Sequence, residues 1–145
     1  MVTIEDMSQA EIEALLEKIG FGHLGCARDN RPYVVPMHYS YEDQNLYFFT
    51  TEGMKTACID SNSEVCFQVE EIDDPSHWRS VMVFGRAERL TKTGDVEHAM
   101  QAITARNPSL TPAINKTQLD AWGRANNVLI YRLHPDSMDG RKTVS

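Results

Sequence analysis

Short apolar runs alternate with polar residues along most of the chain, a pattern that predicts a mainly β protein. Helical spacing first follows the capping-box pair Ser8 and Glu11 and stops at Gly20, so a helix is expected over about residues 9–19. Further helices are expected over about residues 53–60, from Thr93 through Ile103 to before Asn107, and over about 119–125. Six strands are predicted, over about residues 21–27, 33–41, 46–51, 65–69, 78–90 and 128–133.

Polar turns of a few residues join most of these strands, which favours an antiparallel sheet or barrel over alternating strand–helix units. Pro36 cannot donate to a strand ladder, so its strand is expected to lie at an edge, or to be bulged or kinked. Gly85 indicates a bulge in the strand over 78–90, which is predicted to be the longest. Residues 136–145 are interpreted as a polar tail after the last strand.

Length and charge limit the possible functions. The 145 residues suit one domain, 1–145, and the net charge of −7 argues against nucleic acid as a partner. No apolar run could span a bilayer, and the acidic N-terminus does not resemble a signal peptide, so a cytoplasmic protein is expected. The three cysteines lack a C-x-x-C pair and the five histidines are scattered, so neither a disulfide framework nor a metal site is predicted.

Hydroxyl groups and one cation gather where the strand over 46–51 runs into the next helix. This cluster consists of Thr50, Thr51, Lys55 and Thr56. A helix N-terminus offers amide donors and partial positive charge, and Gly53 would let a ligand approach the backbone, so the cluster is a candidate phosphate site. The alternative is plain helix capping by Thr51 with Lys55 in solvent, and spacing alone somewhat favours this alternative.

Two other segments are weaker candidates. In the segment Pro36, Met37, His38 and Tyr39, a kinked strand would free backbone donors for the edge of a planar heterocycle, and His38 would be its proton-transferring group. In the segment Trp78, Arg79 and Ser80, the guanidinium suits a phosphate. The alternatives are a structural histidine and an exposed strand start with a packed tryptophan.

The three segments occur in an order that resembles a known family. The runs GHLGCARDNRPYVVPMHYSYEDQNLYFFTTEGMKT, VCFQVEE and WRSVMVFGRAERL resemble the pyridoxamine 5′-phosphate oxidase-related superfamily, and more closely its flavin-binding subgroup that includes nitroimidazole-resistance proteins. The resemblance covers about residues 8–91 and also the ending IYRLHPDSMDGRK. It implies a six-stranded antiparallel split β-barrel with flanking helices, which forms a homodimer and binds FMN in two clefts between the subunits.

The resemblance also implies roles for individual residues. The isoalloxazine ring would be lined by Pro36, Met37, His38 and Tyr39. The ribityl phosphate would be held by Thr50, Thr51, Lys55 and Thr56. The residues that would flank the flavin are Trp78, Arg79 and Ser80, with Gln68 close by. No catalytic residue is assigned, and His38 is the best candidate.

Two departures from the family pattern narrow the expected function. Met54-Lys55 stands where pyridoxamine phosphate oxidases carry Arg-Lys, and their tryptophan-containing motif is absent before Arg132-Leu133-His134. Both argue against oxidation of the vitamin B6 phosphate. The expected function is an FMN-dependent oxidoreductase that reduces small aromatic or nitro compounds. The alternatives are a flavin-, deazaflavin- or haem-binding module without turnover, and a cofactor-free barrel for protein contacts.

Overall fold

The computed structural model describes residues 1–106 and 128–145, which form a single antiparallel sheet with three helices. The strands are β1 (Thr3–Asp6), β2 (Phe21–Arg28), β3 (Arg31–His38), β4 (Ser40–Glu42), β5 (Asn45–Thr51), β6 (Glu64–Asp74), β7 (His77–Arg89) and β8 (Val128–Val144). The helices are α1 (Gln9–Ile19), α2 (Met54–Ser61) and α3 (Thr93–Arg106). The helix predicted over 119–125 lies outside the described residues.

The strand order is β3-β2-β6-β7-β8-β5-β4, and β1 pairs with β8 beside this path. Every pairing is antiparallel, which confirms the predicted mainly β, antiparallel split-barrel class. The sheet has eight strands rather than six, and over the described residues it is not closed, because β3 and β4 form its two ends.

One of the two additional strands comes from a break at Tyr39. The strand predicted over 33–41 divides there into β3 and β4. The Tyr39 amide donates to the Gly20 carbonyl at 3.0 Å, and its hydroxyl donates to the Leu16 carbonyl at 2.6 Å. These bonds hold the fully buried Tyr39 beneath α1 and interrupt the strand. The other additional strand is β1, which pairs with the C-terminal end of β8.

The interpretation of residues 136–145 as a tail was wrong. Strand β8 continues to Val144 and, at 17 residues, is longer than the 13-residue β7. Its polar end pairs with β7 on one side and with β1 on the other, where Thr3 lies opposite Val144. Backbone hydrogen bonds to two neighbours thus hold a segment whose side chains give no strand signal.

The predicted first helix is confirmed. Ser8 caps α1 by accepting a hydrogen bond from the Glu11 amide at 3.2 Å, and the Glu11 carboxylate accepts one from the Ser8 amide at 3.0 Å. Gly20 ends the helix at a φ of 76°, a conformation that favours glycine. Leu15 and Leu16 enter the core. Among the described residues, no helix combines the length and the apolar character that a membrane crossing requires.

The proline and glycine predictions are also confirmed. Pro36 lies in β3, which is an edge strand. The β7–β8 register shifts between Phe84 and Gly85, where a Cβ on the glycine would lie 2.0 Å from the His134 carbonyl oxygen. Only glycine therefore allows the two backbones to approach so closely at this bulge.

Glu11 also links the start of α1 to the end of β8, and this bond predicts an acid sensitivity. The Lys142 ammonium donates to the Glu11 carboxylate at 2.7 Å, and this bond, with that from the Ser8 amide, lowers the Glu11 pKa from 4.5 to about 2. A carboxyl whose pKa falls on folding stabilises the fold above its unfolded-state pKa. That contribution is lost as the pH falls from about 4.5 to about 2.

Glu11→Gln retains the capping geometry, and we expect it to unfold at a lower temperature than the unaltered protein at pH 7. This gap in unfolding temperature should narrow between pH 4.5 and pH 2, where the Glu11 carboxylate of the unaltered protein becomes protonated. Thermal unfolding at a series of pH values measures the gap. Glu97→Gln, which removes an exposed carboxylate of α3 far from Lys142 in the sequence, is the matched control. A gap that stays constant with pH would contradict the proposed role of the charge.

Candidate functional site

Helix α2 begins in a way that leaves amide groups available. The Thr56 hydroxyl accepts a hydrogen bond from the Gly53 amide at 2.9 Å and donates to the Gly53 carbonyl at 2.8 Å. The first helical bond runs from the Ala57 amide to the same carbonyl at 3.1 Å. Gly53, rather than Thr51, is therefore the N-cap, and the amides of Met54 and Lys55 precede the first intrahelical bond.

The other members of the predicted phosphate cluster lie beside this helix start. Thr50, at the end of β5, is buried and its hydroxyl donates to the Thr51 carbonyl at 3.3 Å. Lys55 is half-buried and makes no ion pair within residues 1–106 and 128–145. One uncompensated ammonium and amides at a helix N-terminus form a donor set that fits a phosphate. Thr56 supports this site indirectly, because its hydroxyl is already used to cap α2.

Strand alternation separates the four residues predicted to line a ring. The core takes the side chains of Met37, 7% exposed, and Tyr39, 0% exposed. Pro36 and His38 point to the opposite side, which we call the outer face of β3, β2, β6 and β7. The His38 ring contacts Phe21 edge-on, with 4.9 Å between ring centroids. Met37 and Tyr39 therefore have only their backbone to offer a ligand at this edge.

A hydrogen-bonded cluster on the outer face joins two predicted site residues. The Gln68 amide group donates to the Ser80 hydroxyl at 3.0 Å and to the Glu70 carboxylate at 3.1 Å. Nδ1 of His23 lies 3.4 Å from the Gln68 side-chain oxygen. His23 was missed by the sequence analysis. Only the strand register, which sets it level with Pro36 and Gln68, shows that it belongs here.

Trp78 and Arg79 lie at the start of β7, directly before Ser80. Arg79 donates to the Glu71 carboxylate at 2.5 Å, and Lys18 binds the same carboxylate at 2.5 Å. Lys18 and then Arg79 lower the Glu71 pKa. The Trp78 amide donates to the Thr143 hydroxyl at 3.0 Å. Strands β2 and β6 separate β7 from β3 by about 14 Å at the usual strand spacing, so one chain alone does not bring Trp78 against Pro36.

A cavity of about 670 Å³ adjoins the start of α2. It lies between this helix and the β2–β3 turn, and its lining includes Arg28, Asp29, Arg31, Pro32, Tyr33, Gly53, Met54, Ala57 and Cys58. In the sequence, residues 28–32 indicate only a polar turn between two strands. The composition of the turn gave no indication that α2 would pack against it.

Among residues 1–106 and 128–145, the other reactive groups do not form a second candidate site. Burial, followed by a contact with Cys58, raises the Cys26 pKa to about 12, so this thiol stays protonated at neutral pH. Glu42, Asp43 and His98 place one possible ligand atom each within 4.8 Å of one another, although their spacing along the chain predicts no metal site. Asp43 and His98 are exposed, Glu42 is half-buried, and Nε2 of His98 lies 3.7 Å from the Glu42 carboxylate, so the three groups meet at the protein surface.

Comparisons with known proteins agree with this fold. A protein from Rhizobium meliloti without an assigned function is 34% identical over 92 residues, which are 63% of this chain and 61% of that protein. The match thus spans less than two thirds of the relative. The crystal structure of an FAD-binding protein from Mesorhizobium loti is 28% identical, covers 100% of both chains and has a TM-score of 0.79.

A candidate 5-nitroimidazole antibiotic resistance protein from Bacteroides thetaiotaomicron is 21% identical, with a TM-score of 0.76 over 99% of this chain and 89% of its own. This likeness shows the fold. The family profile described as pyridoxamine 5′-phosphate oxidase matches residues 8–142. The chain therefore belongs to the pyridoxamine 5′-phosphate oxidase family, as its sequence motifs predicted, and the match extends through most of β8.

Proposed function

We propose that this protein is a flavin-dependent oxidoreductase that binds FMN at the start of α2 and along the edge of β3. The observation that carries the proposal is the donor set at α2, where the Lys55 ammonium, which forms no ion pair with the described residues, stands beside the amides of Met54 and Lys55. A phosphate dianion satisfies these donors, whereas a neutral ligand would not.

Relatives of known structure support a flavin rather than another phosphorylated ligand. The Mesorhizobium loti protein, which matches this chain over its full length, is an FAD-binding protein. FMN is the smallest flavin that carries the required phosphate. When bound, the flavin would supply the redox chemistry, and the protein would position it and exclude competing reactions.

The chain's own residues then have distinct roles. Lys55 and the α2 amides bind the phosphate, while Thr50, Thr51 and Thr56 shape and cap this corner. Pro36 and His38 face the ring, and His38 is the group proposed to move a proton. The Gln68–Ser80 pair, with Trp78, completes the cleft from the second subunit of a dimer, whereas Arg79 binds Glu71 on the other side of β7 and supports the cleft only through that strand.

The first test concerns the phosphate. We expect purified protein to be yellow and Lys55→Ala to bind FMN about tenfold more weakly, because a hydrogen bond to a charged group is lost. Fluorescence titration with FMN measures the change. Lys92→Ala, which removes an exposed positive charge outside the site, is the matched control. Equal affinities for Lys55→Ala and the control would contradict the site, and a Soret band in place of flavin absorption would indicate haem.

The second test concerns turnover. We expect NADH or NADPH to bleach the flavin under anaerobic conditions, and a small nitroaromatic compound to restore its absorption. Stopped-flow absorbance follows both steps. His38→Gln should slow reoxidation by about a hundredfold if the ring transfers a proton, while leaving FMN affinity within about twofold. A flavin that is reduced but not reoxidised by the nitro compound would favour a binding module without this activity.

A homodimer is part of the proposal because the outer face exposes large apolar side chains. These residues and their exposed fractions are Phe21 (42%), Val34 (65%), Ile72 (59%) and Phe84 (43%). The register sets Val34, Gly25, Cys66 and Phe84 level across four adjacent strands, so the apolar surface is continuous. A second copy is the proposed partner because it would cover this surface and bring Trp78 to the opposite cleft.

We expect light scattering after size exclusion to give twice the 16.4 kDa of one chain. Phe84→Asp should produce the single-chain mass, because a buried unpaired carboxylate opposes association. Phe84→Leu keeps the surface apolar and is the matched control. If circular dichroism shows both variants folded and both remain dimeric, the outer face is not the interface.

A further inference from the structure

The cavity beside α2 extends beyond what one phosphate requires. Its volume of about 670 Å³ falls within the roughly 300–1,000 Å³ typical of small-molecule sites. We infer that it is a second subsite, which takes the adenosine monophosphate part of FAD, so that this protein binds FAD more tightly than FMN. This inference rests on the proposed function and concerns residues for which that function has no role.

The charge of the β2–β3 turn is the first argument. Asp29 and Asn30 form the two-residue turn with φ of 52° and 64°, and Arg28 and Arg31 lie directly opposite each other at its base. Like charges in directly opposed positions destabilise a strand pair. An anion between the two guanidinium groups would remove this cost.

Neighbouring side chains provide little compensation for that repulsion. Nε of Arg28 lies 3.8 Å from the Asp29 carboxylate, and both side chains are mostly exposed. Arg31 makes no ion pair or hydrogen bond through its side chain to any other residue that the structure describes. In a chain with a net charge of −7, acidic partners are abundant, so their absence around Arg31 leaves its charge available to a ligand.

The rest of the lining matches an adenosine. Tyr33, half-buried beside Arg31, offers a ring on which a purine can stack. The Asp29 carboxylate can accept hydrogen bonds from ribose hydroxyls. Ala57 and Cys58 add small, weakly polar surface from α2. Together these groups recognise a base, a sugar and an anion within one cavity.

The cavity is also continuous with the proposed phosphate site. The cavity is lined by Gly53, which is the N-cap of α2, and by Met54, the first residue of the helix, next to Lys55. A diphosphate would therefore meet Lys55 with one phosphate and the arginine pair with the other. FMN, which has a single phosphate, would leave Arg31 without an anionic partner and Arg28 with only its 3.8 Å contact to Asp29.

Calorimetric titration of the whole protein with FMN and with FAD tests the inference. We expect FAD to bind about tenfold more tightly than FMN, and Arg31→Ala or Arg28→Ala to weaken FAD binding about tenfold while FMN affinity changes less than about twofold. AMP should bind to the FMN-loaded protein and compete with FAD. Lys92→Ala removes one exposed charge elsewhere and should alter neither affinity.

Equal affinities for FMN and FAD in the unaltered protein would overturn the inference and leave the proposed function standing. Equal weakening of both flavins by Arg31→Ala would also overturn it, because the cavity would then hold the FMN part itself. If neither flavin binds, the proposed function fails together with this inference.

Discussion

Strand β8 is the element on which the rest of the structure depends. At Leu133 it pairs with Leu46 of β5 on one side and with Ala87 of β7 on the other, so it joins the two parts of the sheet. Further along, the same strand continues beside β7 and receives β1 on its open side. Because β7 is aligned by β8 and in turn aligns β6, this pairing decides which side chains of the central strands face the core and which face outwards.

This division between core-facing and outward-facing side chains separates the residues that stabilise the fold from those with a proposed role in the site. Met37 and Tyr39 belong to the core, whereas Pro36 and His38, their neighbours in sequence, face the other way. The same alternation places Gln68 and Ser80 within hydrogen-bonding distance of each other, although they are twelve positions apart in the chain. A pleated strand offers only every second side chain to each face, so a motif of adjacent residues cannot act on one ligand through all of its side chains.

Positive charge is the second organising feature of the proposed site. The chain carries a net charge of −7, yet Lys55 and Arg31 make no ion pairs in its described parts. Both lie around the first turn of α2, one just inside the helix and the other across the cavity. Cations that a folded acidic protein leaves uncompensated on neighbouring elements are suited to an anionic ligand, and this is the physical basis of the proposed flavin site.

The sequence by itself determined what depends on local chemistry. The capping box at Ser8 and Glu11 and the stop at Gly20 predicted α1, and Pro36 predicted an edge strand, because caps and proline act on the backbone within a few residues. The ordered motifs also indicated the family. Tertiary structure alone decided that the polar residues after 135 form a strand, that His23 joins Gln68, and that Arg28 and Arg31 border a cavity with α2. Each of these depends on a partner distant in sequence, and neither hydropathy nor spacing carries information about which partner that will be.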